Sequence, residues 1–331
     1  YPGMLSGFFR LKFPHLVHAA VSSSSPMKAK IDMQEYQDLV GDSLAVESVG
    51  GSAECRRVVA EGHQAGVGEL IKTEDGRAQL ALAFNFCDPG GALSSEAAAG
   101  EWAAGGVIEV PSQENDPSCT APACDIGSIC GLLLGDDGAN ASSSSDLSDV
   151  DRLVLVSRAQ QGGRCLVDWT RRFRQSGGSE SSSDLAKAFD PGAQKTAKAL
   201  VEAEKRGFLV VGGAARRALV DEASPARSWP YQTCTEFGFY QTCEFGSRCP
   251  FVQGYNNLSQ QVSMCELMFG ISEAQVRAAV KLTNEYYGAD KPEGTRILFP
   301  NGNVDPWSGL GVLDSPNPAD EPVANQSPCL A

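Results

Sequence analysis

Apolar positions cluster at the two ends of the chain and thin out through its middle. At the start, a tight turn closing at Tyr1-Pro2-Gly3 leads into an apolar stretch that predicts a helix from about Met4 to Phe13, and a strand over Leu16 to Ser22 follows it. Between Ala53 and Ile71, Val58, Val59, Val67, Leu70 and Ile71 recur at roughly helical spacing. Leu80, Leu82, Phe84 and Phe86 then form a compact apolar run ending at Cys87. From Gly90 to Ser183 the chain turns to Gly, Ala, Ser and Asp, with serine islands at Ser142 to Ser145 and Ser181 to Ser183. Such a stretch buries too little apolar surface to offset its ordering entropy, so surface loops or disorder are expected there. A further amphipathic helix is predicted over about Gly192 to Arg206, with Ala197, Leu200 and Val201 on one side.

The carboxyl-terminal third is better defined. Ser272 followed by Gln275 forms a capping-box start. The helix Glu273 to Tyr287 puts Val276, Val280, Thr283 and Tyr287 on one face, and Gly288 supplies a left-handed stop. The buried-strand pattern Thr295 to Phe299 comes next. Helix then strand is the crossover unit of a parallel sheet with helices packed on it, which predicts an α/β fold.

Two places carry candidate chemistry. Tyr1-Pro2-Gly3 before an apolar helix reads as the second half of a nucleophile elbow, with a serine expected just before Tyr1. The spacing is one residue longer than G-x-S-x-G, and the same residues are also ordinary turn chemistry. At the other end, the strand Thr295 to Phe299 runs into Pro300-Asn-Gly-Asn-Val-Asp305-Pro-Trp307. A carboxylate at the carboxyl end of a strand is where α/β folds keep working groups, and Asp305 stands in the order Ser, Asp, His. Read alone, Asn301-Gly302 and Asp305-Pro306 favour the plainer reading as consecutive turn signals.

Taken together, the blocks resemble one family. They are Tyr1-Pro-Gly-Met4, Phe9-Arg-Leu-Lys-Phe-Pro-His15, Trp229-Pro-Tyr-Gln-Thr-Cys-Thr-Glu-Phe237, Cys265-Glu-Leu-Met-Phe-Gly-Ile-Ser272, Thr283-Asn-Glu-Tyr-Tyr-Gly288 and the Asp305 segment. In this order they are similar to the prolyl carboxypeptidase and dipeptidyl peptidase II serine peptidases, most of all the thymus-type and plant-type branches. The middle, from about Gly91 to Arg227, matches poorly. The resemblance implies an α/β-hydrolase fold with a large, mostly helical cap insertion. Residues 1–26 would be catalytic fold, 27–225 the cap, and 226–331 the return carrying the catalytic Asp305. It implies a serine-type exopeptidase cleaving after proline, as a carboxypeptidase or a dipeptidyl peptidase, acting on peptides that contain proline.

It also implies residue roles. Asp305 would orient the catalytic histidine, the backbone N–H of Tyr1 would donate to the oxyanion, and Met4 and Trp307 would line the proline pocket. Met4 reads equally well as a core methionine facing the helix. The serine and histidine are expected beyond the two ends, so the chain reads as an inactive fragment of an active parent. His15, His18 and His63 precede Asp305 and are assigned no catalytic role. The resemblance pairs Cys234 with Cys265 and ties Cys55 and Cys87 to later cap cysteines. It calls for no cofactor and is compatible with a homodimer. A non-catalytic relative acting by binding, or an esterase of the same fold, are the alternatives.

Charge and cysteines bear on partners and route. Forty-one acidic against 27 basic residues give a formal charge of −14, which disfavours nucleic acid as a partner. No apolar run approaches the roughly 18 residues of a membrane span. Eleven cysteines and the sequons at Asn140, Asn257 and Asn325 suggest an oxidising route, to a secreted, lysosomal or vacuolar destination. Eleven is odd, and Cys329 is the natural unpaired thiol. Cys119, Cys124 and Cys130 lack paired C-x2-C spacing and a nearby histidine, so they read as disulfide or irregular loop rather than zinc. Val210 to Ala215 is no phosphate loop, because no G-K-[ST] follows.

Overall fold

In the computed structural model, residues 2–135, 147–166 and 227–313 are described. Helix α1, Pro2–Lys12, starts on a proline that needs no intrahelical N–H partner and ends on Arg10 and Lys12, which suit the negative end of the helix dipole. The N–H groups of Leu16 and Val17 both bond the Phe13 carbonyl, at 3.0 Å each, closing a turn. The expected strand Leu16 to Ser22 is therefore shortened to β1, Ala20–Val21.

Two parallel pairings carry the α/β character. The first joins β1 to β4, Ile297–Leu298, with Ala20 opposite Ile297. The ladder bonds continue as Ser22 N–H to Leu298 O at 2.8 Å and Ser24 N–H to Pro300 O at 3.0 Å. The expected strand Thr295 to Phe299 narrows because Arg296 sits at φ 62°, a left-handed conformation that interrupts extended backbone. The second pairing joins β2, Lys30–Asp32, to β3, Gly238–Tyr240, with Lys30 opposite Gly238. Gly238 is required there: its φ is +71°, and a Cβ would lie 2.5 Å from the Lys30 carbonyl oxygen.

The largest apolar core lies in the first half of the chain. Helix α2 is Gln34–Ser43 and α3 is Ala53–Glu61; a π-helical turn over Gly62–Val67 joins α3 to α4, Gly68–Leu70. The expected helical stretch from Ala53 to Ile71 thus forms with one wide turn inside it, and Val58, Val59, Val67 and Ile71 are fully buried. Helix α5, Glu74–Ala83, takes up the apolar run, burying Leu80 and leaving Leu82 outside.

The expectation of loops or disorder from Gly90 to Ser183 needs correction over its described residues, 90–135 and 147–166. Among those residues lie three helices: α6, Glu96–Ala104, α7, Ile126–Leu134, and α8, Asp149–Gln161. They share one core with α3 and α5, through Ala99, Ala103, Ile126, Ile129, Leu133, Leu153 and Val156. The small residues that made the stretch look weak allow close packing instead; the Cβ of an alanine at Gly100 would overlap the Tyr255 ring at 2.1 Å. Disulfides Cys55–Cys130 and Cys87–Cys165 staple these helices together, and Cys119–Cys124 closes a short loop. With all three cysteines of that stretch in disulfides, none is a zinc thiolate. Both serine islands, the helix expected over Gly192 to Arg206 and Cys329 lie outside the described residues.

Helix α9, Ser228–Gln232, and a π-helical turn, Thr233–Phe237, lead to β3. Helix α10 is Leu258–Phe269, and Cys265 on it is bonded to Cys234. Helix α11, Glu273–Tyr287, has the bounds expected of it, with Ser272 and Gln275 in a capping box and Gly288 at φ 91°. Ser272→Ala will cost about 1 kcal/mol by removing the acceptor of the Gln275 N–H; the expected reading is a lower urea midpoint with an unchanged m-value.

Candidate active site

Asp305 stands where the chain leaves β4 and turns. Its own N–H reaches the Gly302 carbonyl at 3.3 Å, and it caps the 3-10 turn Pro306–Leu310. One carboxylate oxygen, Oδ1, accepts the Trp307 N–H at 3.0 Å, while Pro306 brings no N–H that would compete. The Asp305 carbonyl accepts both the Ser308 N–H at 3.1 Å and the Ser308 hydroxyl at 2.7 Å. The residue is 7% exposed, so the local sequence fixes the carboxylate from below. Among the described residues, no hydrogen bond reaches Oδ2.

The cap also aims Trp307 into an aromatic group assembled from distant segments. Tyr36 on α2 meets the indole edge to face, with centroids 5.2 Å apart, and Phe239 on β3 does the same at 5.6 Å. Phe239 stacks on Phe237 and sits at φ 61°, a strained conformation for a bulky residue. Gln113 Oε1 lies 2.9 Å from Trp307 Nε1 and 2.9 Å from the Tyr36 hydroxyl. Burial, then the negative charges of Asp305 and Glu114, push the Tyr36 phenol up to about 12, so it remains a protonated donor.

Met4 belongs to the same neighbourhood. It is 1% exposed and shares one apolar cluster with Phe8, Met33, Phe239 and Leu310, against which Tyr36 and Trp307 pack. The first turn of α1 is held by the segment after β1. A Cβ at Gly3 would lie 1.8 Å from the Ser23 carbonyl oxygen, and Ser22 Oγ is 2.8 Å from the Gly3 carbonyl. The Ser24-to-Pro300 bond ties that segment to the loop carrying Asp305. The start of α1 and the loop carrying Asp305 are thus joined through one short segment. Tyr1 lies outside the described residues.

The histidines are elsewhere. His15 and His18 are exposed, and His18 faces Arg296. His63 is fully buried in the π-helical turn, with Nδ1 2.7 Å from the Val59 carbonyl and Nε2 accepting the Val107 N–H at 3.0 Å. That arrangement needs a neutral ring protonated at Nδ1, and burial lowers its pKa to about 4. Among the sequons, Asn257 caps α10, its Oδ1 accepting the Gln260 N–H at 3.0 Å. Asn140 and Asn325 lie outside the described residues.

Tyr36, Gln113 and Phe239 were not identified from sequence. Phe239 lies two positions past the Trp229 to Phe237 block, so a longer reading of that block would have reached it. Gln113 sits in a loop with no local signal, and only the tertiary fold brings it to Trp307.

Comparison with known proteins assigns the family. The model of the serine carboxypeptidase S28 family matches residues 1–163 and 181–328. The human thymus-specific serine protease is 35% identical over 318 residues, covering 95% of this chain and 53% of that protein. Its mouse counterpart is 34% identical over 324 residues, with 94% and 53% covered. The bovine lysosomal Pro-X carboxypeptidase is 22% identical over 322 residues, with 94% and 52% covered. The chain thus spans about half the length of these curated relatives. Since the family model runs through both the α1 and the Asp305 segments, the chain belongs to the serine carboxypeptidase S28 family.

Proposed function

We propose that the complete polypeptide carrying this chain is a serine-type exopeptidase that cleaves peptide bonds following proline. Asp305 is the acid of its triad, with the serine preceding Tyr1 and the histidine following Asp305 in sequence. The serine hydroxyl attacks the peptide carbonyl as the histidine takes its proton. The same histidine then protonates the leaving amine, and water hydrolyses the acyl-enzyme. Asp305 offers Oδ2 to the histidine while Trp307 holds Oδ1 in place. The backbone N–H of Tyr1 donates to the oxyanion, a contact typically worth about 2.7–4 kcal/mol.

The observation that carries this reading is the apolar cluster in which Met4 lies buried and Trp307 packs at its edge beside the Asp305 carboxylate. A rigid proline ring suits a thioether and an indole wall, and one relative is named for Pro-X cleavage. Within the same reading, residues 27–225 form a helical cap over an α/β-hydrolase core. Five disulfides and the lysosomal and extracellular names among the relatives support a secreted or lysosomal destination.

A fluorophosphonate probe and a substrate panel test the proposal on the complete polypeptide. The expected result is one labelled serine and hydrolysis of proline substrates over their alanine counterparts. Peptides with a free amino end and peptides with a free carboxyl end separate dipeptidyl peptidase from carboxypeptidase action. Absence of labelling would sink the serine mechanism, and equal turnover of proline and alanine peptides would sink the proline pocket.

A further inference from the structure

An indole N–H can only donate a hydrogen bond. The Gln113 atom 2.9 Å from Trp307 Nε1 must therefore be the amide oxygen, which fixes the orientation of the whole carboxamide. The Tyr36 hydroxyl, 2.9 Å from the same oxygen, must then donate as well. One acceptor thus takes two donors from two rings that already meet edge to face. This sets the plane of Trp307 from the side opposite its backbone anchor at Asp305.

The segment presenting Gln113 is itself held. The Val107 N–H bonds buried His63, and the Glu109 N–H and carbonyl both bond the Gln160 carboxamide, at 3.0 and 2.8 Å. Farther on, Asn115 Oδ1 accepts the Ile126 N–H at 2.9 Å, at the start of α7. Gln113 therefore sits on a strap fastened at both ends to the large helical core, while Trp307 belongs to the loop after β4. Among the described residues, Gln113 accepts the one hydrogen bond that joins that strap to the indole of Trp307.

We propose that Gln113 is a positioning residue for the substrate pocket: it locks the Trp307 ring against Tyr36, and the selectivity of the site for a ring-bearing residue before the scissile bond depends on that lock. This rests on the function proposed above. Without the acceptor, the indole N–H must find water and the ring is free to rotate about its side-chain bonds. A flat pocket wall then becomes a mobile one. Selection between proline and alanine falls, while the chemical step at Asp305 is untouched.

Gln113→Leu and Gln113→Glu in the complete polypeptide test this. Leucine removes the acceptor at similar size; glutamate keeps an acceptor for both donors and loses only the amide NH2. The expected result for leucine is a fall of roughly tenfold in the proline-to-alanine ratio of kcat/KM, carried by KM for proline peptides. Glutamate is expected to restore the ratio to within about threefold of the parent protein. A leucine variant that keeps the parent ratio, or a glutamate variant that fails like leucine, would overturn the proposal.

A second readout separates this from failure of the peptidase reading itself. The indole N–H resonance of Trp307, assigned by its loss in Trp307→Phe, should shift and lose exchange protection in Gln113→Leu but not in Gln113→Glu. That measurement needs no turnover. An unmoved resonance in the leucine variant would reject the lock even if the polypeptide proves inactive on every peptide.

Discussion

Replacing Asp305 by asparagine in the complete polypeptide will lower kcat by about 10⁴-fold and leave KM nearly unchanged. Under the proposed mechanism the carboxylate has two tasks, one on each oxygen. Oδ1 accepts the Trp307 N–H and builds the 3-10 turn, and asparagine keeps an oxygen for that bond. Oδ2 would face the histidine; an amide NH2 there would favour the wrong tautomer and could not stabilise the imidazolium. Fold and pocket should survive, so circular dichroism and KM serve as controls. A variant within tenfold of the parent kcat would remove Asp305 from the triad. Asp305→Ala is the poorer test, because it also deletes the cap beneath Trp307.

The second large effect is on stability in acid. His63 is neutral in the fold with a pKa of about 4, against 6.5 for an ordinary histidine. Between those values the unfolded chain binds a proton that the folded chain refuses, so stability rises with pH across the window. The contribution is fully present above pH 6.5 and falls away as pH drops toward 4, by about 3 kcal/mol in all. Among the described residues no charged group compensates: the ring packs against Phe251 and bonds the Val59 carbonyl and the Val107 N–H. Urea unfolding at pH 7 and pH 4.5 checks it, with His63→Gln expected to be weaker at neutral pH and flatter between the two. Proton resonances of His63 that titrate near 6.5 in the native protein would refute the prediction.

Elements with local signals were readable from sequence. Helix α11 carries its own start in Ser272 and Gln275 and its own stop in Gly288, so its bounds follow from neighbours in the chain. The strands were overextended, because nothing local announces that Arg296 will adopt a left-handed conformation or that the 16–17 backbone will turn back on Phe13. The helices of the middle were misread because composition counts apolar area and ignores fit. Ala99, Ala103 and Gly100 bury little each, but let helices approach until Tyr255 and Trp102 fill the space. At the candidate site, Asp305 could be read from its place after the strand Thr295 to Phe299, and Met4 and Trp307 entered through the family resemblance. Tyr36 and Gln113 are 77 residues apart and converge only through the fold.

The pairing of Ala20 with Ile297 has a consequence for biosynthesis. Sequence-distant contacts form slowly because loop closure must precede any reward from them. As the chain leaves the ribosome, the disulfide-stapled helices can consolidate from their own neighbours, but the cluster around Met4 and Phe8 draws on Phe237, Phe239 and Tyr287 and closes only when Leu310 and Val312 arrive. A nascent polypeptide halted at residue 290 would hold the stapled helices and an apolar cluster still open on the side that Leu310 and Val312 cover, the kind of surface that chaperones retain.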